Sequence, residues 1–521
     1  MGEKVEVHVR KASGLVRNIS AWDALVYNIL VMAPTAVYVY GVWALALFPG
    51  VNLPLTALIA IPVCTVIGLF YAIYSVSMPR SGGDYVWVSR VLHPALGFMI
   101  TFFLFIVVLA VAGSYIPWFV EWGIAPLLQY LGYESVAATI STPVPMFVIG
   151  LVYFLICAVI ISRGSKTTAY VLWIFFALTL IGFLTYAGTL LSLGAKKFAE
   201  NFSSLSGMSY EGVIEAAAAQ GYPQTFLISA TMMGIIFTIL NFLGFNMSVY
   251  IAGEVKEVKK SQFIAIIGAI VIFGIITWAV YQVTYFGMGA KFIAAISYLA
   301  AIGDPTYKLN HDPFFHFLFQ YAVRNPVIYG IVVFGWSMMT LAAILTYIFT
   351  GVRLVFAWSF DRVLPVIFSK VDRRYNSPYV ALILVVILTI IFEALWLFTP
   401  VLNYFVYIVT GWFIATSITA ISGIILPFKR KDIFEISPSI VRAKIGNIPV
   451  ISILGAITLV ISVWLAYAGA MPVISGPVDP IAIAFSFGVF VVGLVTYFVS
   501  SWYHKAKGIP LELSFKELPP E

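Results

Sequence analysis

Twelve long apolar stretches, each about as long as a bilayer is thick, constrain what this chain can fold into. A helix needs roughly 20 apolar residues to cross the hydrocarbon core. Because 62% of the 521 residues are hydrophobic and only 10% are charged, a soluble globular protein is excluded. We therefore predict an all-α integral membrane protein with twelve transmembrane helices. The predicted spans are 21–48, 53–76, 95–125, 145–162, 167–193, 225–253, 262–289, 326–355, 378–398, 401–427, 449–470 and 480–503.

The positions of the basic residues predict the orientation of these spans. With a cytoplasmic N-terminus, 24 of the 29 Lys and Arg residues fall in cytoplasmic segments, as the positive-inside rule requires. We predict a transport domain over 21–503 in the cell membrane, between a cytoplasmic N-terminal segment (1–20) and a cytoplasmic tail (504–521). No removable signal peptide is expected before the first span. The net charge of +7 thus reflects topology, and no nucleic-acid partner is predicted.

Cysteine and histidine give no sign of a catalytic or metal site. Cys64 and Cys157 lie in the middle of two spans, which indicates buried apolar thiols rather than a disulfide. The five histidines lie outside the centres of the spans, and neither a metalloprotease motif nor a nucleophile elbow is present. We therefore predict neither an enzyme nor a bound cofactor or metal.

Spans one and six are interrupted at matching places, each at the start of a block of five spans. The interruptions are Met-Ala-Pro-Thr at 32–35 and Asn-Phe-Leu-Gly-Phe-Asn at 241–246. A broken helix frees backbone N–H and C=O groups that hydrocarbon cannot satisfy, so paired breaks point to a transporter's substrate site. The N-terminus of a half-helix suits a carboxylate, and free carbonyls suit an ammonium group or a cation. The predicted substrate-binding residues are Met32, Ala33, Pro34, Thr35, Leu240, Asn241, Phe242, Leu243, Gly244, Phe245 and Asn246.

Three motifs resemble signatures of the amino acid–polyamine–organocation permeases. The first is Met-Pro-Arg-Ser-Gly-Gly-Asp-Tyr-Val-Trp-Val-Ser-Arg at 78–90. The second is Phe-Leu-Gly-Phe-Asn at 242–246, followed by Gly-Glu-Val-Lys at 253–256. The third is the stretch 353–365, which begins with Arg353 and ends in Asp-Arg-Val-Leu-Pro. The resemblance implies a LeuT-like fold, with inverted five-helix repeats at about 21–193 and 225–427 and two extra helices at about 449–503. It also implies a secondary active transporter that moves amino acids or related amines across the plasma membrane by alternating access.

The chain departs from that family pattern at both breaks. Relatives commonly have a Gly-rich triplet where this chain has Ala33-Pro34-Thr35, and Pro34 has no N–H to offer a carboxylate. The hydroxyl of Thr35 can substitute for that donor. These departures leave a polyamine or other organocation as an alternative substrate. Asn246 stands where some exchangers of the family carry a titratable Glu, and Asn cannot sense protons.

The sequence does not decide whether the coupling ion is H⁺ or Na⁺, or whether transport is symport or exchange. The family resemblance favours proton symport or exchange. Thr179 is a neutral residue where some proton-coupled members have a Lys. Ser337 and Thr340 offer hydroxyls in span eight, although bonding back to their own helix is an alternative role for both. The acidic candidates in or beside apolar stretches are Glu121, Glu254 and Glu393.

Two other classes of membrane protein remain as alternatives. A channel is less favoured because the spans carry isolated polar residues rather than a continuous polar lining or a ring of charge. A sensor that binds a ligand without moving it is the second alternative. The polar outer segments 194–224 and 290–325 are predicted to be loops, serving either as lids or as simple connectors.

Overall fold

The structure is a computed structural model, which describes residues 14–32, 36–508 and 511–516. These residues are mostly helical. The α-helices are α1 Ala21–Val31, α2 Val37–Leu47, α3 Leu53–Ser77, α4 Asp84–Val91, α5 Pro94–Phe119, α6 Ala125–Tyr130, α7 Glu134–Ile140, α8 Pro143–Ser162, α9 Ser165–Ser206, α10 Tyr210–Ala219, α11 Ile228–Asn241, α12 Val258–Thr284, α13 Ala290–Ile302, α14 Phe315–Leu318, α15 Pro326–Phe360, α16 Tyr379–Phe398, α17 Ile408–Lys429, α18 Lys431–Ile436, α19 Ser439–Arg442, α20 Val450–Gly469, α21 Pro472–Ser475 and α22 Pro480–Ala506.

Shorter elements join or extend these helices. A two-residue antiparallel hairpin pairs β1 (Lys444–Ile445) with β2 (Ile448–Pro449). The remaining elements are π-helical turns at Val120–Ile124 and Tyr285–Gly289 and 3₁₀ helices at Met247–Glu254, Phe319–Tyr321, Val366–Ser369, Val401–Tyr404 and Leu511–Phe515.

Within the described residues, ten helices are long and apolar enough to cross a membrane. Three further apolar helices are too short to do so alone, namely α1, α2 and α11. They fall in the two stretches that the sequence predicts to be interrupted. An all-α membrane protein is therefore confirmed, and the prediction of breaks within spans one and six agrees with the short helices found there.

Helix α15 lies at the centre of the helix packing. It contacts α5, α9, α16 and α1, and most of its length is buried. Gly335 of α15 meets Gly182 of α9 so closely that an added Cβ on Gly182 would lie 2.8 Å from the Gly335 Cα. Small residues at such a contact allow two membrane helices to approach each other. This pair of glycines therefore lets α9 pack directly against α15.

Polar caps begin several of these helices. Ser20 and Asp23 form a reciprocal capping box at the start of α1. The side chains of Asn52, Asn325 and Asp479 accept backbone N–H groups at the starts of α3, α15 and α22. Each of these last three helices also has Pro in its first turn, where the missing N–H costs nothing. The caps explain why these spans begin where they do.

The two outer segments that were predicted to be loops are largely helical, so that expectation was wrong. Helix α9 continues past Gly194, whose φ of +71° allows a sharp kink, and ends at Ser206. Its last turns pack Phe198 and Phe202 against Phe292 of α13. Aromatic burial between neighbouring helices therefore orders segments whose polar residues suggested loops. The two cysteines are free and buried, as predicted.

Candidate substrate site at two helix breaks

The first break follows Val31, the last residue of α1. Met32 forms a turn, residues 33–35 lie outside the described residues, and Ala36 directly precedes α2. The hydroxyl of Tyr347 on α15 donates a hydrogen bond to the carbonyl oxygen of Val31 at 3.0 Å. A carbonyl freed at the end of a helix thus finds a side-chain partner inside the protein.

The second break follows Asn241, the last residue of α11. The chain makes tight turns, with hydrogen bonds from Phe245 N–H to Phe242 O (3.2 Å) and from Met247 N–H to Gly244 O (3.0 Å), and then enters the 3₁₀ helix Met247–Glu254. Gly244 has a φ of +105°, a conformation that L side chains rarely adopt. A Cβ at Gly244 would lie 2.5 Å from Val31 Cγ1, so the two breaks lie directly against each other.

A cavity of about 530 Å³ lies beside both breaks. Its wall includes Met32 and Ala36 near the first break and Leu240, Asn241 and Leu243 near the second. None of the described residues in this wall is charged. The aromatic part of the wall consists of Tyr40, Trp43, Tyr115, Trp118, Tyr347, Trp396, Phe405 and Trp412.

The wall of the cavity combines aromatic faces with a few uncharged polar atoms. Tyr40 stacks on Trp43 at 5.2 Å between ring centroids, and Tyr115 stacks on Trp118 at 4.9 Å. Such faces attract organic cations and pack against apolar or ring-shaped ligands. Since no charged side chain is among the described residues of the wall, a charged head group there must be met by backbone groups and by hydroxyl or amide side chains.

The predicted substrate-binding residues fall into four groups. Met32, Leu240, Asn241 and Leu243 line the cavity, whereas Ala33, Pro34 and Thr35 lie outside the described residues. Three others lie away from the cavity wall: Phe242 packs edge-to-face on Phe273, Gly244 lies against Val31, and Phe245 is buried. Asn246 lines a separate small void together with Asp84, Tyr71 and Tyr250.

The hydroxyl candidates for ion coupling bond to helix backbone. Thr179 donates to Gly335 O at 3.2 Å, Ser337 to Val333 O at 2.9 Å and Thr340 to Trp336 O at 3.4 Å. None of the three hydroxyl residues is part of the described cavity wall. The geometry therefore fits the alternative role in which a hydroxyl satisfies a helix carbonyl.

The acidic candidates lie in three different places. Glu121 is exposed on the π-helical turn at the end of α5. Glu393 on α16 is buried beside Gly113 and Gly150, and neither of its carboxyl oxygens has a hydrogen-bond partner among the described residues. Glu254 is buried in an ion pair with Arg353 of α15. None of these three acids is among the described residues that line the cavity of about 530 Å³.

The Glu254–Arg353 pair joins the end of the 247–254 segment to α15. Arg353 Nε donates to Glu254 Oε1 at 2.7 Å, and Nη2 donates to Oε2 at 3.0 Å. The backbone oxygen of Glu254 also accepts the N–H groups of Asn18 and Ile19 at 3.0 and 2.9 Å. A bidentate pair with these backbone bonds ties the segment before α1 to the second broken helix.

Several residues of this region were not among the sequence candidates. The aromatic wall of the cavity comes from helices that are distant in sequence, and a single sequence offers no signal for their convergence. Asp84 is different, because an acid follows Gly82-Gly83 directly in one of the recognised motifs. The available signal was the position of this acid, which comes directly after two glycines and shortly after the end of an apolar span.

Comparison with known proteins gives two findings. Residues 20–497 match the model of the family described as amino acid permease. The chain is also 25% identical, over 381 residues, to the methylthioribose transporter of Bacillus subtilis (strain 168). That similarity covers 71% of this chain and 73% of the relative.

Proposed function

Because the chain belongs to the amino acid permease family, and is thus a membrane transporter rather than an enzyme, we propose that it carries amino acids or related amines by secondary active transport. The observation that supports this proposal most directly is the uncharged, aromatic cavity beside two helix breaks that touch each other. Broken backbone at such a place can bind both ends of a zwitterion. Aromatic faces around it would select the side chain of the substrate by size and apolarity.

The proposed architecture is the LeuT-like one. We count α1 with α2 as one broken span, and α11 with the 247–254 segment as another, which together with the ten long helices makes twelve. The two halves would then be inverted five-helix repeats at about 21–193 and 225–427. Both termini would be cytoplasmic, because this places most Lys and Arg residues on that side.

A neutral thioether sugar is the second candidate substrate. The relative from Bacillus subtilis is named for methylthioribose, and an uncharged, largely aromatic wall also suits a neutral ligand with an apolar thioether group. A polyamine is less well supported, because the same wall offers no carboxylate to pair with its several positive charges. A panel of ligands can separate these candidates.

The deciding experiment is a thermal-shift screen of the purified protein with amino acids, amines, polyamines and methylthioribose. A ligand that binds the folded state stabilises it, by about 2.7 kcal/mol at a concentration of 100 Kd. Compounds that stabilise the protein would then be tested for uptake into proteoliposomes, with and without the same compound inside. Binding without uptake would support the sensor alternative, and flux that is insensitive to an internal substrate would support the channel.

We expect Tyr347→Phe to weaken binding of the ligand found by the screen. The change removes the hydroxyl that donates to Val31 O at the first break but keeps the ring in the cavity wall. The bond fixes the end of α1 at the break, and its net contribution of about 0.5–1.5 kcal/mol sets an upper limit of roughly tenfold on the loss of affinity if binding requires that arrangement. The measurement is the Kd of each variant. Tyr210→Phe is the control, since Tyr210 makes a similar bond to Met288 O among the outer helices, and its Kd should not change.

We expect Thr179→Val and Asn246→Ala to leave any proton dependence of transport intact. The hydroxyl of Thr179 serves a helix carbonyl, and an Asn side chain does not titrate. Uptake into proteoliposomes under separately imposed proton and sodium gradients measures this dependence. If either variant still binds the ligand but no longer responds to the proton gradient, the residue concerned takes part in coupling and the expectation is wrong.

A further inference from the structure

Asp84 is a buried carboxyl group surrounded by hydroxyl groups. It begins α4, after the end of α3, and it is buried. Its Oδ2 accepts hydrogen bonds from the hydroxyls of Tyr250 at 2.9 Å and Tyr71 at 3.2 Å. Its Oδ1 has no hydrogen-bond partner among the described residues. One oxygen of this carboxyl is therefore satisfied twice, and the other remains free to carry a proton.

The two glycines before Asp84 bring it against the second broken helix. Gly82 N–H donates to Tyr250 O at 3.1 Å. Gly83 has a φ of +48°, and a Cβ there would lie 2.6 Å from Val249 Cγ2. Only glycine permits so close an approach. Tyr250 is thus bound through its backbone oxygen by the loop and through its hydroxyl by Asp84, so any change at Asp84 reaches the 247–254 segment directly.

No cation is paired with Asp84 in the described part of the chain. Helix α5 presents apolar residues to it, and the polar groups that face it are the side-chain amide of Asn246 and the hydroxyls of Tyr71 and Tyr74 on α3, Tyr250 on the 247–254 segment, and Thr416 and Thr419 on α17. The nearby basic side chains are engaged elsewhere. Arg90 of α4 pairs with Asp361, and Arg353 pairs with Glu254.

Burial and hydrogen bonding act on Asp84 in opposite directions. Loss of solvent disfavours the charged form and raises the pKa of the carboxyl to about 7, while the hydroxyl donors favour the charged form and limit that rise. Both protonation states are therefore accessible near neutral pH.

We propose that Asp84 is a proton-binding site whose protonation state controls how tightly Tyr250, and with it the 247–254 segment, is held. A proton that binds at Oδ1 forms an O–H bond and changes the carboxylate from a charge of −1 to 0. The hydrogen bonds from Tyr250 and Tyr71 then lose their charge assistance and weaken. This inference rests on the proposed transport function, because it assigns the 247–254 segment a movement within the transport cycle.

The geometry favours a proton over a metal cation. The void beside Asp84 has a volume of about 10 Å³, close to the smallest that holds one water. Tyr71 and Tyr250 already point their hydroxyl hydrogens at the carboxylate, so they do not offer their oxygens in the way that a cation site requires. A proton needs neither room nor further ligands.

The first test follows the carboxyl itself, without any substrate. Infrared difference spectra of the protein in lipid would be recorded across a pH titration, for wild type, Glu393→Gln and the double variant Asp84→Asn with Glu393→Gln. The Glu393→Gln background removes the second buried carboxyl, whose own C=O band would otherwise overlap. We expect the C=O band of a protonated carboxyl to titrate near neutral pH in wild type and in Glu393→Gln, and to be absent in the double variant. Its persistence in the double variant would overturn the proposal.

Tyr250→Phe provides a second variant that leaves the carboxyl in place, in case Asp84→Asn does not fold. It removes a donor to the charged form, so the midpoint of the carboxyl band should move to higher pH. An unchanged midpoint would contradict the proposed control of Tyr250. The titration would also be repeated with NaCl replaced by choline chloride. A midpoint that depends on sodium would overturn the proton assignment in favour of a cation site.

The second test concerns coupling. Proteoliposomes containing a pH-sensitive dye would receive a mixture of the twenty common L-amino acids. We expect an amino-acid-dependent pH change inside the vesicles with wild type and Glu393→Gln, and none with Asp84→Asn, which should still exchange labelled amino acids. If wild type gives no pH change while its Asp84 band titrates, the proposed substrate or its coupling is wrong and the proton site stands. A pH change with Asp84→Asn as large as with wild type would overturn the role of Asp84.

Discussion

Gly244→Trp is expected to abolish transport, lowering the initial rate of uptake at least tenfold. Gly244 has a φ of +105°, and even a single added Cβ would lie 2.5 Å from Val31 Cγ1. An indole at this position must push the two helix breaks apart or enter the space beside them. Overpacking of this kind costs about 1–3 kcal/mol before any loss of ligand contacts is counted.

The control for this prediction is Gly188→Trp on α9. Gly188 is exposed, has an ordinary helical φ, and has nothing within 4 Å of an added Cβ. Both variants would be compared for uptake of the ligand found by the screen, at equal amounts of protein in the vesicles. Normal uptake by Gly244→Trp would place the substrate site elsewhere. Loss of uptake by both variants would show that a tryptophan in any helix disturbs the protein.

Arg353→Met is expected to destabilise the protein strongly, by about 3–5 kcal/mol, because it leaves the carboxylate of Glu254 buried without its partner. Both side chains are almost fully buried, at 0% and 1% exposure. The double variant Glu254→Gln with Arg353→Met has no unpaired charge and should recover much of the lost stability. Unfolding of wild type, Glu254→Gln, Arg353→Met and the double variant in detergent would measure the coupling between the two sites.

An exposed ion pair of similar length serves as the comparison. Lys197 and Glu200 approach to 2.8 Å, but both side chains are more than half exposed. Lys197→Met should therefore change the stability very little. If Lys197→Met and Arg353→Met lower the stability equally, or if the double variant is no more stable than Arg353→Met, the buried pair does not hold the 247–254 segment in the way that the geometry suggests.

Local signals in the sequence account for much of the fold. Long apolar runs predict helices, since a backbone in hydrocarbon must satisfy its own hydrogen bonds. Pro34 and Gly244 mark the breaks, because one lacks an N–H and the other permits a positive φ. Gly194 and the polar residues after it predicted a loop by the same kind of local signal, and that prediction was wrong. The glycine allows a kink, but whether the chain beyond it is helical depends on Phe198 meeting Phe292, which no local pattern reports.

The sequence by itself determined the membrane class, the family and the two places where helices break, because each depends on residues that are close together along the chain. Only the tertiary structure decided what surrounds those breaks. The aromatic wall of the cavity, the pairing of Glu254 with Arg353, and the contact of Asp84 with Tyr250 all join residues of different helices. These contacts depend on the crossing angles of the helices and on how closely small residues let the helices approach. The hydropathy of the sequence predicts neither the angles nor the distances.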